Sequence, residues 1–207
     1  MRARPEEIER DIVLVHGIEP NMRWRRFCDE LVVSFTKIGA EMIVLLGALL
    51  ADSPHTRPVP VSGSVSQPRL AAKLSMQPVD YNGPTGIVGV LQQACGNASL
   101  PAVSLWASVP HYVAQPPNPK ATLALIRGIE DAADLTLPLA DLPEQARAWE
   151  RGVDELAQQD TEVAEYVRAL EEQRDAADLP EASGDAIARD FERYLRRRGN
   201  PGDAGNR

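Results

Sequence analysis

The chain has 207 residues, of which 43% are hydrophobic and 25% are charged, a composition typical of globular proteins. Its net charge is −8, and residues 140–207 carry most of it, with 10 Lys and Arg against 17 Asp and Glu, whereas residues 1–139 carry 12 against 13. This acidity argues against nonspecific binding to nucleic acid or anionic membranes, and the longest apolar run, Met42–Ala51, is far shorter than the ~20 residues of a membrane span.

The first 50 residues predict a strand, a helix and a second strand. Residues 1–10 are mostly charged and lack the apolar core of a signal peptide, so we expect a cytoplasmic protein. A strand is predicted at Asp11–Val15, and apolar side chains at helical spacing predict a helix over residues 23–38 that ends at Gly39. A strand is predicted at Glu41–Leu50, in which the apolar run Met42–Leu50 lacks alternation. This is typical of a strand covered on both faces, and we expect this strand to be central. The three elements together predict a right-handed parallel crossover and an α/β fold.

The middle of the chain continues the same alternation of strands and helices. Apolar patterns and turn residues predict the following elements in chain order: an extended segment at Val59–Val65, a short helix or irregular loop at Gln67–Val79, a helix from Thr85 to Cys95, a buried strand at Leu100–Ser108, and a helix that begins near Pro119 and reaches Ala133.

Beyond Leu139 the apolar pattern becomes a heptad seam. Its members recur at alternating spacings of four and three: Leu142, Ala146, Trp149, Val153, Leu156, Val163, Val167 and Leu170, with Asp160 as the interruption. The seam must be buried on its own domain or on another subunit, and Asp160 is a candidate N-cap of a second helix. A weaker helix is predicted at Ala182–Arg198. We therefore divide the chain into an α/β domain (9–139), a helical extension (140–198) and a disordered tail (199–207).

Polar side chains follow two of the predicted strands where each strand ends. His55, Thr56 and Arg57 come after the second strand, and His111 and Tyr112 come after the strand at 100–108. Ligands of parallel α/β sheets bind beyond the carboxyl ends of strands, so these five residues are candidate binding residues. The structural alternative pairs Arg57 with Asp52 and leaves His111 half-buried and bonded to the backbone.

Other chemical motifs are weak. The glycines at 83, 86 and 89 open a helix but match neither a dinucleotide nor a Walker motif, and packing is the better interpretation. The three histidines have no spacing that enforces a zinc site, so no metal is predicted. The serines near 104–108 lack a nucleophile elbow, which leaves a hydrolase triad unsupported. The sequence identifies no cofactor.

Five segments together resemble bacterial members of the proteasome assembly chaperone 2 family, the actinobacterial branch in particular. They are Gly17–Phe27, Pro54-His-Thr-Arg-Pro58, Gly83–Ile87, Val109-Pro-His-Tyr112 and Val163–Glu172. The resemblance implies a three-layer α/β/α sandwich with a phosphorylase-like shape and a C-terminal helical extension. It also implies a further segment before Asp11, holding the first strands and a glycine-rich turn. Without that segment we expect an exposed sheet edge.

Two functions follow from these expectations. The first is a cytoplasmic, assembly-chaperone-like interaction protein that acts as a homo-oligomer through the heptad seam and contacts a protein client. The second is a small-molecule-binding enzyme, phosphorylase-like or like an ATP-dependent carboxylate ligase, in which Arg57 holds an anion and a histidine moves a proton. The enzyme requires His55, Arg57 and His111 to converge on one pocket.

Overall fold

The computed structural model describes residues 11–67 and 86–178, together with Phe191 and Leu195. In these ranges the chain forms helices α1 (Trp24–Lys37), α2 (Ile87–Asn97), α3 (Pro119–Ala133), α4 (Leu142–Gln158) and α5 (Thr161–Asp178) and strands β1 (Ile43–Ala51), β2 (Val61–Val65) and β3 (Ala102–Pro110), with a 3₁₀ turn at His111–Val113. The mixed α/β fold predicted from the sequence is confirmed. The predicted helix at 182–198 lies outside the described residues apart from Phe191 and Leu195, as do the tail at 199–207 and nearly all of the segment at 67–79.

The three strands form one sheet in the order β1-β3-β2. Strand β1 runs parallel to β3, from the pair Ile43–Ala102 to the pair Ala51–Pro110, and β2 runs antiparallel to β3. Among the described strands β3 is the central one and β1 lies at an edge, which differs from the expectation that residues 41–50 form a central strand covered on both faces. Leu46, Leu49 and Leu50 of β1 are 46%, 43% and 50% exposed. A continuous apolar run indicates that side chains can be buried on both faces of a strand. It does not indicate whether the strand has a hydrogen-bonded strand on each side.

The predicted strand at Asp11–Val15 is also absent. Residues 11–20 contain no strand, and Val13 and Leu14 are 64% and 90% exposed. The segment has β-forming side chains, but a strand also needs a hydrogen-bonding neighbour, and none of the described strands pairs with it. The predicted crossover therefore lacks its first strand among the residues that the structure describes.

The helices begin and end where local chemistry allows. Gly39, in the left-handed conformation (φ 71°), follows α1 as predicted. The Ile87 amide at the start of α2 donates to Glu19 Oε1 (3.1 Å), which places a negative charge at the positive end of the helix. Asn118 Oδ1 caps α3 by accepting from the Ala121 amide (2.9 Å), and Pro119 occupies the first turn. None of the helices in the described ranges is long and apolar enough to cross a membrane.

Alternate residues of β3 face different helices. Ala102 belongs to the cluster that α1 and α2 form around Cys28, Val32, Phe35, Leu91 and Cys95, whereas Ala107 packs with Ala121 of α3. Leu105 also faces α3, because a Cβ added at Gly128 would lie 3.0 Å from its side chain. The two-residue period of the strand thus distributes helices to both of its sides.

A glycine is required where β1 passes the indole of β3. Gly47 is the register partner of Trp106, and a Cβ added at Gly47 would lie 2.5 Å from the indole ring. Heavy atoms of packed side chains approach to about 3.5–4 Å, so a side chain at this position cannot fit without displacing Trp106. The glycine is needed here for space.

The heptad seam folds into two helices that pack on their own chain. The first helix ends just before Asp160, and the second begins just after it. Asp160 Oδ1 accepts hydrogen bonds from the amides of Glu162 (2.9 Å) and Val163 (3.3 Å), which confirms the predicted N-cap of the second helix. Helix α4 packs against α3, and α5 packs against α4. Five small or aliphatic residues are buried in these contacts: Ala146, Val153, Ala157, Val167 and Leu170. Leu156, by contrast, is 61% exposed.

Candidate functional site

The candidate site lies at the edge of the sheet where the parallel strands β1 and β3 both end. The loop 52–57 follows Ala51, and the 3₁₀ turn follows Pro110, the register partner of Ala51. The two polar loops meet here, because the His55 amide donates a hydrogen bond to the Tyr112 hydroxyl. We refer to residues 52–57 as the strand-end loop.

His55 is held by bonds to all of its polar groups. The residue is only 2% exposed, and its amide donates to Tyr112 Oη over 2.8 Å. The same oxygen lies 2.8 Å from His55 Nδ1, so we assign the Tyr112 proton to this bond and the imidazole proton to Nε2. Nε2 then donates to Asp154 Oδ1 of α4 over 3.0 Å. The His55 carbonyl accepts from the Lys120 ammonium of α3, which also pairs with Glu150 of α4.

Tyr112 connects this network to α5. Burial raises the pKa of its hydroxyl to about 12, so the group keeps its proton, and its role as a donor, well into the alkaline range. Its ring meets His55 edge-on (centroids 5.6 Å apart) and meets Tyr166 of α5 in the same way (6.0 Å). One tyrosine therefore contacts both the imidazole and a helix that comes much later in the chain.

Arg57 and Thr56 contact α5 through two carboxylates. Arg57 Nε and Nη2 donate to the two oxygens of Asp175 over 2.7 and 2.8 Å, in a bidentate pair. Arg57 Nη1 and the Thr56 hydroxyl both donate to Glu171 Oε1. The bond to Arg57 lowers the pKa of Asp175 and raises that of Arg57. The expected pairing of Arg57 with Asp52 is therefore wrong.

Asp52 has other partners. It accepts a hydrogen bond of 2.7 Å from Tyr166 Oη of α5. His111 Nε2 lies 3.6 Å from the same carboxylate, and the His111 side chain is 50% exposed. The alternative interpretation of His111 as half-buried agrees with this exposure, but the group beside its imidazole is the Asp52 carboxylate and not the backbone that the interpretation named.

The five predicted residues gather at one edge of the sheet, but helices cover them. Four of them, His55, Thr56, Arg57 and Tyr112, contact side chains of α4 or α5, and only His111 remains at the surface. In the described ranges, no three His, Cys, Asp or Glu side chains converge as metal ligands. The donors of His55, Thr56 and Arg57 bind carboxylates of α4 and α5. Whether the five residues also bind a ligand stays a prediction.

Sequence reasoning missed the acidic partners of this loop. They lie on three helical turns of α4 and α5, at Asp154, Glu171 and Asp175. Acids at such spacings are typical of a solvated helix face, and the contact between Arg57 and Asp175 spans 118 residues of sequence. The one usable signal was the excess of acids after residue 139, which offers many possible partners to the Arg57 guanidinium.

The chain is similar to a known protein family and to solved structures. The model of the PAC2 family matches residues 1–157. A crystal structure of a PAC2 family protein from Streptomyces avermitilis is 62% identical and covers 73% of this chain and 63% of its own, with a TM-score of 0.68. The structure of a proteasome-assembly chaperone homologue from Mycobacterium tuberculosis is 57% identical and covers 79% of this chain and 70% of its own, with a TM-score of 0.71.

More distant structures share the fold alone. An archaeal homologue of proteasome-assembly chaperone from Pyrococcus furiosus is 18% identical and covers 69% of this chain and 64% of its own, with a TM-score of 0.53. The comparison with curated proteins found no match. The chain spans 63% of the length of the Streptomyces protein, which is less than two thirds.

Proposed function

The chain belongs to the PAC2 family, and on this premise we propose that it is an assembly-chaperone-like protein that works by binding other protein chains. One relative at 57% identity is described as a proteasome-assembly chaperone homologue, which makes proteasome subunits the first partners to test. We place the protein in the cytoplasm, where such subunits are made.

The observation that carries this proposal is that side chains of the strand-end loop bind carboxylates of α4 and α5. A catalytic site would need His55 and Arg57 open to a substrate. Here His55 is buried against Asp154, and the guanidinium of Arg57 forms a bidentate pair with Asp175. These side chains instead attach α4 and α5 to the sheet, and the attached helices offer their outer faces to other proteins.

Homo-oligomerisation is the second part of the proposal, and it requires seam residues that are exposed on the surface of the chain. Val153 and the other buried members of the seam pack inside the chain, so they are not free to form a coiled coil. Leu156 is 61% exposed on α4, and this face is the part of the seam that remains for a second copy.

The architecture is proposed to be the three-layer α/β/α sandwich implied by the resemblance. Its support is the alternation along β3, where Ala102 packs with α1 and α2 while Ala107 packs with α3. The phosphorylase-like shape and the division at residue 139 stay predictions.

An enzyme is the second candidate function, and one observation favours it. Tyr112, His55 and Asp154 form a chain of hydrogen bonds of 2.8 and 3.0 Å, an arrangement that can move a proton. A screen of ATP, nucleosides and carboxylates for thermal stabilisation tests this candidate. The enzyme hypothesis requires a ligand that raises the Tm of the unaltered chain but not that of the Tyr112→Phe variant.

The proposed function is tested by reconstitution. Proteasome subunits from the same organism are mixed with the purified chain at equal concentrations, and the appearance of assembled particles is followed by native electrophoresis. We expect a complex with unassembled subunits and faster assembly. The absence of a complex together with an unchanged assembly rate would refute the proposal.

A further inference from the structure

The strand-end loop has the chemistry of a receptor for an acidic helix. Its donors are the Arg57 guanidinium and the Thr56 hydroxyl, and they are occupied by two carboxylates of α5. Glu171 and Asp175 are four residues apart, so they stand on one face of the helix, one turn from each other. The loop therefore fits two carboxylates at the spacing of a helical turn.

The contact on α5 is polar and partly open to solvent. The Arg57 side chain is 32% exposed, that of Asp175 56% and that of Glu171 25%, so solvent reaches these ion pairs and screens them more than it would fully buried ones. Apart from these polar contacts, α5 is held by the ring contact of Tyr166 with Tyr112, by the Tyr166–Asp52 hydrogen bond, and by packing on α4 in which its buried aliphatic residues are Val167 and Leu170. A segment held mainly by partly exposed polar contacts and by few buried apolar residues is one that a competing segment can displace.

From this geometry we propose that α5 is an autoinhibitory segment, and that a partner protein binds the strand-end loop by presenting an acidic helix that displaces α5 from Thr56 and Arg57. Charge complementarity identifies the partner, because the loop offers a bidentate cation and a hydroxyl donor to paired carboxylates. The proposal rests on the proposed function only in taking the partner to be a protein.

A small anion fits the loop less well than an acidic helix does. One carboxylate or phosphate would satisfy Nε and Nη2 of Arg57, where Asp175 now binds. It would leave Nη1 and the Thr56 hydroxyl without the acceptor that Glu171 now supplies. Two carboxylates on one rigid helix satisfy both positions at once.

The test measures exchange of the native segment for an added one. The probe is a fluorescent peptide with the sequence of residues 161–178, and the receptor is the full chain. In the double variant Glu171→Gln, Asp175→Asn, the chain's own α5 loses its carboxylates, so we expect the peptide to bind at least tenfold more tightly than it binds the unaltered chain. Adding Arg57→Gln to that variant is expected to return binding to the level of the unaltered chain.

Two controls make the test decisive. A peptide that carries the same two neutral substitutions is expected to bind at least tenfold more weakly than the acidic peptide. Equal binding of both peptides, or tight binding that survives Arg57→Gln, would overturn the proposal in favour of apolar contact. Equal binding by the unaltered chain and the double variant would also overturn it.

A second measurement avoids the variants and any loss of folding they cause. Increasing amounts of acidic peptide are added to the unaltered chain, and hydrogen exchange is followed by mass spectrometry; the peptide is enriched in ¹³C and ¹⁵N so that its fragments differ in mass from those of the chain. Exchange within residues 161–178 should rise severalfold, while β3 stays protected. Unchanged exchange at saturating peptide contradicts displacement. Because proteasome subunits are absent from both experiments, their failure is distinct from failure of the assembly assay.

Discussion

Replacing Tyr112 with Phe removes one hydroxyl from the centre of the strand-end network. That oxygen accepts from the His55 amide and donates to His55 Nδ1, both over 2.8 Å. His55 is 2% exposed, so water cannot readily replace the lost partner. A buried polar group left without a partner costs about 1–3 kcal/mol. For two such groups, with partial relaxation, we expect a loss of about 3 kcal/mol, which lowers Tm by about 6–12 °C in a chain of this size.

The matched control is Tyr166→Phe. The Tyr166 hydroxyl makes one bond, to Asp52, whose side chain is 68% exposed and can be solvated in its place. Its loss should cost less than about 1 kcal/mol. Both variants are compared with the unaltered chain by urea and thermal denaturation, followed by far-UV circular dichroism. If Tyr112→Phe lies within 1 kcal/mol of Tyr166→Phe, the network does not hold the loop as described.

Three other predictions follow from single features of the structure. Because the folded-state pKa of Tyr112 is raised from 10 to about 12, the unfolding free energy should fall as pH rises from 10 to about 12, and this fall should be smaller in Tyr112→Phe in alkaline denaturation series. Gly47→Ala should lower the free energy of unfolding in urea by about 1–3 kcal/mol, because the new Cβ would meet the facing indole. Gly152→Ala, where a Cβ would have no atom within 4 Å, should instead stabilise α4 by about 0.5–1 kcal/mol. Equal effects of the two substitutions would contradict this packing. Val153→Glu should unfold the helical extension, whereas Leu156→Glu should leave folding unchanged and reduce the mass of any oligomer measured by light scattering; a folded Val153→Glu would show that the seam is not buried within the chain.

The sequence was informative where local chemistry determines structure. Helix α1 follows from an apolar stripe that ends at a glycine, and Gly39 has the left-handed conformation that ends a helix. The break at Asp160 follows from its capping side chain. The meeting of the two polar loops follows from the parallel pairing of β1 and β3, which brings the ends of both strands to one edge.

The sequence was uninformative where structure depends on distant neighbours. Residues 11–15 have the apolar pattern of a strand, but pairing requires a second strand, which the pattern does not encode. Arg57 was assigned to the nearest acid, Asp52, whereas the fold brings it to Asp175. Electrostatic pairing depends on distance in space, and a helix with many surface acids does not reveal which of them will face a cation.

The central claim is that the strand-end loop attaches α5, and native-state hydrogen exchange of Arg57→Gln tests it most directly. The matched control is Arg26→Gln, since Arg26 also pairs with an acid (Glu30, 2.8 Å) but within one helix. We predict faster exchange across residues 161–178 in Arg57→Gln, with β1 and β3 unchanged and no such effect in Arg26→Gln. Equal protection of α5 in both variants would contradict the claim.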